Sequence, residues 1–398
     1  MVEFKTIVFL YFLCFHIDMV LSCRGKNSVL DDFDITPSKP QPPRPTAIPT
    51  IKKRTQQQCE EYKTALLASL PSMARNEDPN FVMTGQICSD GLGSLYEAKS
   101  DGKMAVYEVC FNDKTSSAIY TIHTLDMRAD DEKMKHNSFL VRYTFCGSKV
   151  NDYYNSNSQS NIFDGIFGNG VITNSDIKLT QYFSRNHLVP HADFPSAEFK
   201  KLTYYFHNSF PGYQSINVKN WRKLEGYVRD IARDMNMILE VVTGIYKIMK
   251  KKSKSGNMMD IYLDMGDGEN KDRRRFAVPA EAYKLVVDKK TNASLAFITS
   301  FDRNLSASGV TNFSKICNVN CQDLGYNFDS DSNAGYTICC TYDELQKYIK
   351  LRLPVKLMKT SILRNTNQRR SSSPPKKAQS PENLRGKKES SPRKRRSP

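Results

Sequence analysis

Strand-like runs, in which apolar residues alternate with polar ones or bunch briefly, occupy Leu95–Ala98, Met104–Phe111 and Ser117–Leu125, with Gly and Asp-Gly breaks between them. A second group covers Ile261–Asp264, Phe276–Asp288 and Leu295–Phe301. Between the two groups the period changes. Trp221, Leu224, Val228, Ile231 and Met235 recur at helical spacing, which predicts a helix over 220–239. A shorter helix is expected over Glu60–Ala74. The stretch Asn151–Gly170, rich in Asn, Ser and Gly, reads as a long mobile loop, and Lys250–Lys254 and Asp267–Arg275 as charged loops. No internal repeat interrupts this order.

The two ends differ from the middle. Lys5 followed by the apolar run Thr6–Phe15 and the small residues near Val20-Leu21-Ser22 reads as a secretory signal over residues 1–22. His16 and Asp18 leave that run too short to span a bilayer, and no other segment is apolar enough to do so. Residues 23–57 are Pro-rich and read as a linker, which leaves 58–352 for a folded domain. Residues 353–398 are rich in Ser, Pro, Lys and Arg and are expected to be disordered. Of the net charge of +16, most comes from twelve Lys and Arg facing two Glu between Arg364 and Pro398. Such an excess suits a polyanion: nucleic acid, heparin-like glycan or anionic membrane.

Beyond Cys14 and Cys23 there are eight cysteines, at 59, 88, 110, 146, 317, 321, 339 and 340. An even set in an exported chain implies disulfides, whose pairing the sequence leaves open. The vicinal Cys339-Cys340 makes a zinc site a poor alternative. Three glycosylation sequons begin at Asn292, Asn304 and Asn312. Asp264–Gly268 resembles a calcium loop only faintly, because the required bidentate acid is missing.

The candidate chemistry lies in Tyr182–Arg229. It contains Phe183-Ser184-Arg185-Asn186-His187-Leu188-Val189-Pro190, then His191-Ala192-Asp193-Phe194, and later Asn217 just before the Trp221 helix. Glu225 and Arg229 are four residues apart on that helix and share one face. A neutral imidazole can take a proton from water near pH 7. A carboxamide oxygen is a hard ligand suited to magnesium. Arginines can stabilise the charge that builds on phosphate during hydrolysis. Taken one by one, these groups occur in any protein. His191 reads as a surface residue, and His123 and His207, set among aromatic and apolar neighbours, as structural.

Together, the segments Ser184–Phe194 and Thr203–Glu225 resemble the DNA/RNA non-specific endonucleases, the ββα-metal nucleases with an Arg-Gly-His signature, and within them the secreted arthropod branch. The likeness runs from about Thr84 to Leu351 and includes Tyr107–Phe111, Val278-Pro279 and Tyr283–Val287. It implies an α+β fold, with a mixed antiparallel sheet core and a ββα finger. In that finger His187 corresponds to the general base, Asn217 to the metal ligand and Glu225 to the acid that orients water at the metal. Arg229 corresponds to the helix arginine near the scissile phosphate, Arg185 to the signature arginine, and Asn208 to an asparagine supporting the site. The implied cofactor is magnesium, with manganese as a substitute. The implied partners are DNA and RNA, double-stranded RNA among them, gripped through the phosphate backbone and left with 5′-phosphate ends.

The sequence departs from the pattern twice. Asn186 stands where the signature has glycine, and Lys219 where a second glycine follows the metal asparagine. Glycine at such places implies a positive φ or a close approach of backbone, and asparagine is the best-tolerated substitute for the former. Lys219 could add a phosphate contact. A catalytically weakened, secreted polyanion-binding homologue is the alternative that these departures allow. The retention of His187, Asn217, Glu225 and Arg229 together argues against it.

Overall fold

The computed structural model describes residues 80–88, 91–129, 150–168, 181–266, 274–350 and 361–364, with a few single positions between them. The expected signal segment, linker and Glu60–Ala74 helix, and most of the basic tail, lie outside the described residues, as do Cys59 and Cys146. The backbone of the fold is an eight-stranded sheet in the order β1 (Phe81–Ile87), β2 (Ser94–Ser100), β3 (Met104–Asn112), β4 (Ser117–Asp126), β7 (Ile238–Ile248), β12 (Pro279–Asp288), β13 (Ser294–Ser300) and β14 (Thr337–Cys340). Neighbouring strands run antiparallel throughout this sheet. The hairpin β5 (Phe183–His187) with β6 (Ser209–Tyr213) stands apart from it, as do the short pairs β8 (Lys250–Lys252) with β9 (Met258–Asp260) and β10 (Tyr262–Asp264) with β11 (Arg275–Ala277). The α+β expectation is met.

Both faces of the central strands are covered. On β12, Ala282 and Val286 enter the larger apolar cluster, while Tyr283, Leu285 and Val287 enter a second one. Successive side chains on a strand alternate between faces, so this run is apolar on both sides of the sheet. Helices α4 (Ala307–Ser314) and α5 (Tyr342–Ile349) cover the second face through Phe313, Tyr342, Leu345 and Ile349. A capping box starts α5: Thr341 accepts from the Glu344 N–H, and the Glu344 carboxylate accepts from the Thr341 N–H. Disulfides Cys88–Cys110 and Cys317–Cys340 brace this side, while Cys321–Cys339 lies with the larger cluster on the other face, so the two vicinal cysteines serve two separate bridges.

Four expectations are corrected. Lys250–Lys254 is not a loop throughout, because Lys250–Lys252 is strand β8, paired with β9. Asn151–Gly170 is not a loop: it holds a short turn, Val150–Tyr153, and helix α1 (Ser156–Phe167). Asn155 caps α1 by accepting from the Asn157 and Ser158 N–H groups, and Phe163 and Phe167 are buried at i,i+4. The helix expected over 220–239 is α3, Arg222–Asp234, with α2 (Ala197–Leu202) preceding it. It ends because Asn236 turns into the left-handed region (φ 50°), and the chain leaves as β7. Ser361–Arg364, expected within the tail, lies against β13: Ile362 bridges Ser294 and Leu363 is buried. Among the described residues no helix is long and apolar enough to cross a membrane.

Candidate active site

The hairpin β5–β6 and helix α3 form one ββα unit, packed on the sheet through an aromatic cluster. Phe210, Trp221 and Phe301 meet edge to face, with ring centroids 5.0–5.8 Å apart. Leu224, Val228 and Ile231 carry the buried face of α3 onward. The unit closes on itself where the Trp221 indole N–H donates to the His187 carbonyl at 3.3 Å.

His187 ends β5 directly opposite Ser209, and the chain beyond it is fixed by Asn208. Asn208 is fully buried. Its backbone carbonyl accepts from the Leu188 N–H at 3.0 Å and its side-chain oxygen from the Val189 N–H at 2.9 Å. Its amide nitrogen donates to the Val189 and Thr203 carbonyls, both at 2.9 Å. The half-buried imidazole of His187 is boxed by Phe139, Tyr204 and His191, at centroid distances of 5.0, 5.2 and 6.1 Å. His191, read as a surface residue, is therefore part of this aromatic wall. His207 is structural as expected, lying among Phe81, Tyr96 and Phe111.

The start of β5 is gripped by a residue the sequence did not single out. Gln159 of α1 donates to the Phe183 carbonyl at 2.8 Å and accepts from the Phe183 N–H at 2.9 Å. Arg185, two residues on, rests over the rings of Tyr154, Phe139 and Phe206 and donates to Asn151 at 3.2 Å. Burial draws its guanidinium below the usual value, which the charge interactions with Tyr154 and Tyr182 offset in part.

Asn217 stands at the start of a kinked segment, Asn217–Trp221, in which Lys219 leaves helical geometry (φ −108°, ψ −107°) before the chain enters α3. Its amide nitrogen donates to Gln214 at 3.4 Å, and among the described residues no donor meets its carboxamide oxygen. Glu225 and Arg229 follow on the half-buried side of α3. Arg229 donates to Asp193 at 2.9 Å, and the other oxygen of Asp193 lies 3.0 Å from Nε2 of His123. Burial alone would raise Asp193, but the His123 hydrogen bond and the charges around it hold the carboxyl below its usual range. Glu225 behaves oppositely, and burial pushes it up to about 7 against the opposing charge of Lys284.

Lys284 is the other residue missed. It is 1% exposed at the centre of β12, and its ammonium donates to the Leu188 carbonyl at 3.0 Å and to Thr243 Oγ1 at 2.8 Å. It also lies 4.9 Å from the Trp221 ring centroid. Burial lowers its affinity for the proton, and the carboxylates of Glu225 and Asp193 counter that. A lysine inside the apolar run Tyr283–Val287, on the face of Ala282 and Val286, was the available signal. A buried lysine there needs acidic and carbonyl partners.

Neither departure from the family pattern takes a positive φ. Asn186 is ordinary strand, fully buried, on the face of the hairpin opposite His187 and Arg185. Its amide donates to the carbonyls of Gly212 at 3.0 Å and Ser184 at 3.1 Å. The space it fills exists because Gly212 has no side chain: a Cβ there would come within 2.7 Å of the Asn186 amide and 2.6 Å of Phe301. Lys219 is exposed, with its ammonium 3.7 Å from Asp331. Asn186→Gly should therefore lower stability by about 1–3 kcal/mol through lost buried hydrogen bonds, while turnover changes less than about 10-fold. Urea unfolding and initial rates on the same preparation check this. A large loss of turnover at unchanged stability would show that Asn186 acts on the site after all.

The sequence model of the DNA/RNA non-specific endonuclease family matches residues 92–349, which include the whole ββα unit. The chain belongs to that family. A salivary endonuclease of Lutzomyia longipalpis is 30% identical over 292 residues, 71% of this chain and 67% of that protein. Salivary protein Tsal1 of Glossina morsitans morsitans is 25% identical over 252 residues, 62% of this chain and 60% of that protein. A solved structure of an EndoG/EndoGI complex overlaps 50% of this chain and 73% of that one, at 17% identity and a TM-score of 0.29. The nuclease is thus a phosphodiester hydrolase, and the family is generally dependent on a divalent metal.

Proposed function

We propose that this nuclease is exported and hydrolyses DNA and RNA, long double-stranded RNA included, in a magnesium-dependent reaction with His187 as general base. The observation that carries the reading is the closed ββα unit. Asn208 and Trp221 hold the backbone of His187–Val189, and the same unit presents Asn217 and Glu225. The salivary relatives and the apolar N-terminal run support export. All three sequon asparagines, Asn292, Asn304 and Asn312, are exposed, which supports a glycosylated surface.

The donor set fits an ion that keeps most of its own waters. Among the described residues no three His, Cys, Asp or Glu side chains converge as a metal cluster. One carboxamide oxygen from Asn217 suits magnesium, which takes few protein ligands and completes its shell with water and phosphate. When bound there, the ion would supply Lewis-acid stabilisation of the charge on the phosphate and on the leaving oxygen. His187 takes the proton of the attacking water, Glu225 would orient water at the metal, and Arg185 and Arg229 set positive charge beside the reacting phosphate. Contact through the backbone, not base edges, leaves cleavage indifferent to sequence.

Plasmid DNA and long double-stranded RNA, incubated with the purified chain with and without magnesium and EDTA, test the reading. EDTA should abolish cleavage of both. Asn217→Ala should raise the magnesium concentration for half-maximal rate at least ~10-fold, as loss of metal-site groups does. Cleavage that persists in EDTA would overturn the metal assignment. A folded wild type that binds but cuts neither substrate would favour the polyanion-binding homologue.

A further inference from the structure

The hairpin β8–β9 plays no part in the chemistry above, yet it carries Lys250, Lys251, Lys252 and Lys254 within five residues. Three of them are exposed and Lys251 is half-exposed. The opposing charge is small: Asp260 lies 3.4 Å from Lys250, and Asp302 borders the hairpin's base. The hairpin is a built platform. It continues directly from β7, its turn is closed by Ser253 N–H to Asn257 at 2.8 Å, and Lys254 N–H donates to Ile166 at the end of α1 at 3.0 Å. An open depression of about 260 Å³ separates it from the finger, lined by Tyr213, Met249, Ile261 and the lysines themselves.

Its position relative to His187 follows from the register of the finger. Directly opposed residues of an antiparallel pair project to one face, as do alternate residues along each strand. His187, Arg185 and Phe183 therefore share a face with Tyr213, which opposes Phe183, their tilted ring centroids 4.5 Å apart. Tyr213 in turn borders the lysine hairpin. Four strand residues at about 3.3 Å each separate His187 from Phe183. The lysines thus begin at least about 13 Å from the catalytic end of the hairpin, past Tyr213, which is itself buried. At about 3.4 Å of helix rise per phosphate along one strand, that is about four nucleotides.

We propose that the β8–β9 hairpin is a phosphate-backbone platform for the flank of the substrate, gripping nucleic acid about four or more nucleotides from the bond that is cut. The inference rests on His187 marking the catalytic centre. Short oligonucleotides that fill the centre do not reach the platform, and long DNA and RNA do.

The test replaces Lys250, Lys251, Lys252 and Lys254 together with glutamine in the full chain, so that the basic C-terminal residues contribute equally to both proteins. On a substrate of about three nucleotides, kcat and KM should match the wild type, which also serves as the folding control. On long duplexes KM should rise about 10-fold near physiological salt, with kcat unchanged. In filter binding to the long duplex, the slope of log affinity against log salt should become shallower by about 2–4, since each lost phosphate contact contributes about 0.9. An unchanged long-substrate KM and salt slope overturn the proposal, as does an equal KM rise on the short substrate. If the wild type cuts nothing, the general-base reading fails separately. The salt slope then still decides the platform: shallower in the variant supports it, unchanged removes it. The single reversal Lys252→Glu should move KM and slope in the same direction if the fourfold variant proves insoluble.

Discussion

His187→Ala is expected to lower the turnover number on DNA and RNA at least ~100-fold, the usual contribution of a positioned general base, with little change in nucleic-acid affinity. The structure separates the side chain from the scaffold. The fold uses the His187 backbone, through the Trp221 hydrogen bond and the pairing with Ser209, while the imidazole faces Phe139, Tyr204 and His191. Removing the ring therefore leaves the hairpin registered and removes the proton acceptor. Single-turnover rates and filter binding on one preparation measure both quantities. A variant that keeps near-normal turnover would remove His187 from the mechanism and point to its neighbour His191. A variant that loses affinity in parallel with rate would mean that the ring binds substrate and does not act on the proton.

The finger was legible through its resemblance to the family, since its groups taken one by one occur in any protein. The strands β2, β3, β4, β12 and β13 were legible because their apolar runs are bounded by turns. What escaped has a common physical cause, in that polar residues were doing structural tasks. Helix α1 reads as loop because its Asn and Ser residues favour turns. Yet Asn155 is a cap, and Gln159 is buried to satisfy both backbone groups of Phe183. The expected helix ran two residues into strand β7, and the rest of that strand drew no expectation. The break is a single conformational event at Asn236. Asn186 was misjudged for a different reason. The missing glycine suggested a backbone demand, whereas the deciding partner, Gly212, sits on the facing strand, and one sequence does not announce that two positions share a volume.

Lys284 shows the same limit with the largest consequence for stability, and Lys284→Met should lower the free energy of unfolding by about 2–4 kcal/mol. Two effects oppose each other. Methionine relieves the cost of burying an ammonium, and it fills much of the same volume. Against this, the Leu188 carbonyl and the Thr243 hydroxyl lose a charged donor, each worth about 1–2 kcal/mol when left buried, and Glu225 and Asp193 lose a compensating charge. The second effect wins because four groups depend on one ammonium. The variant should also move the pH profile. Glu225 is pushed up to about 7 with the lysine in place, and the lysine's charge is what restrains it. Without that charge the carboxyl holds its proton to higher pH. If ionised Glu225 is the active form, activity rises as pH increases through its pKa, so the ascending limb must shift to higher pH in Lys284→Met. Urea unfolding and rate profiles between pH 5 and 9 at fixed magnesium read out the two effects. Loss of stability with an unmoved limb would confine Lys284 to holding Leu188 beside His187. A shifted limb ties the buried lysine to Glu225, the acid proposed to orient water.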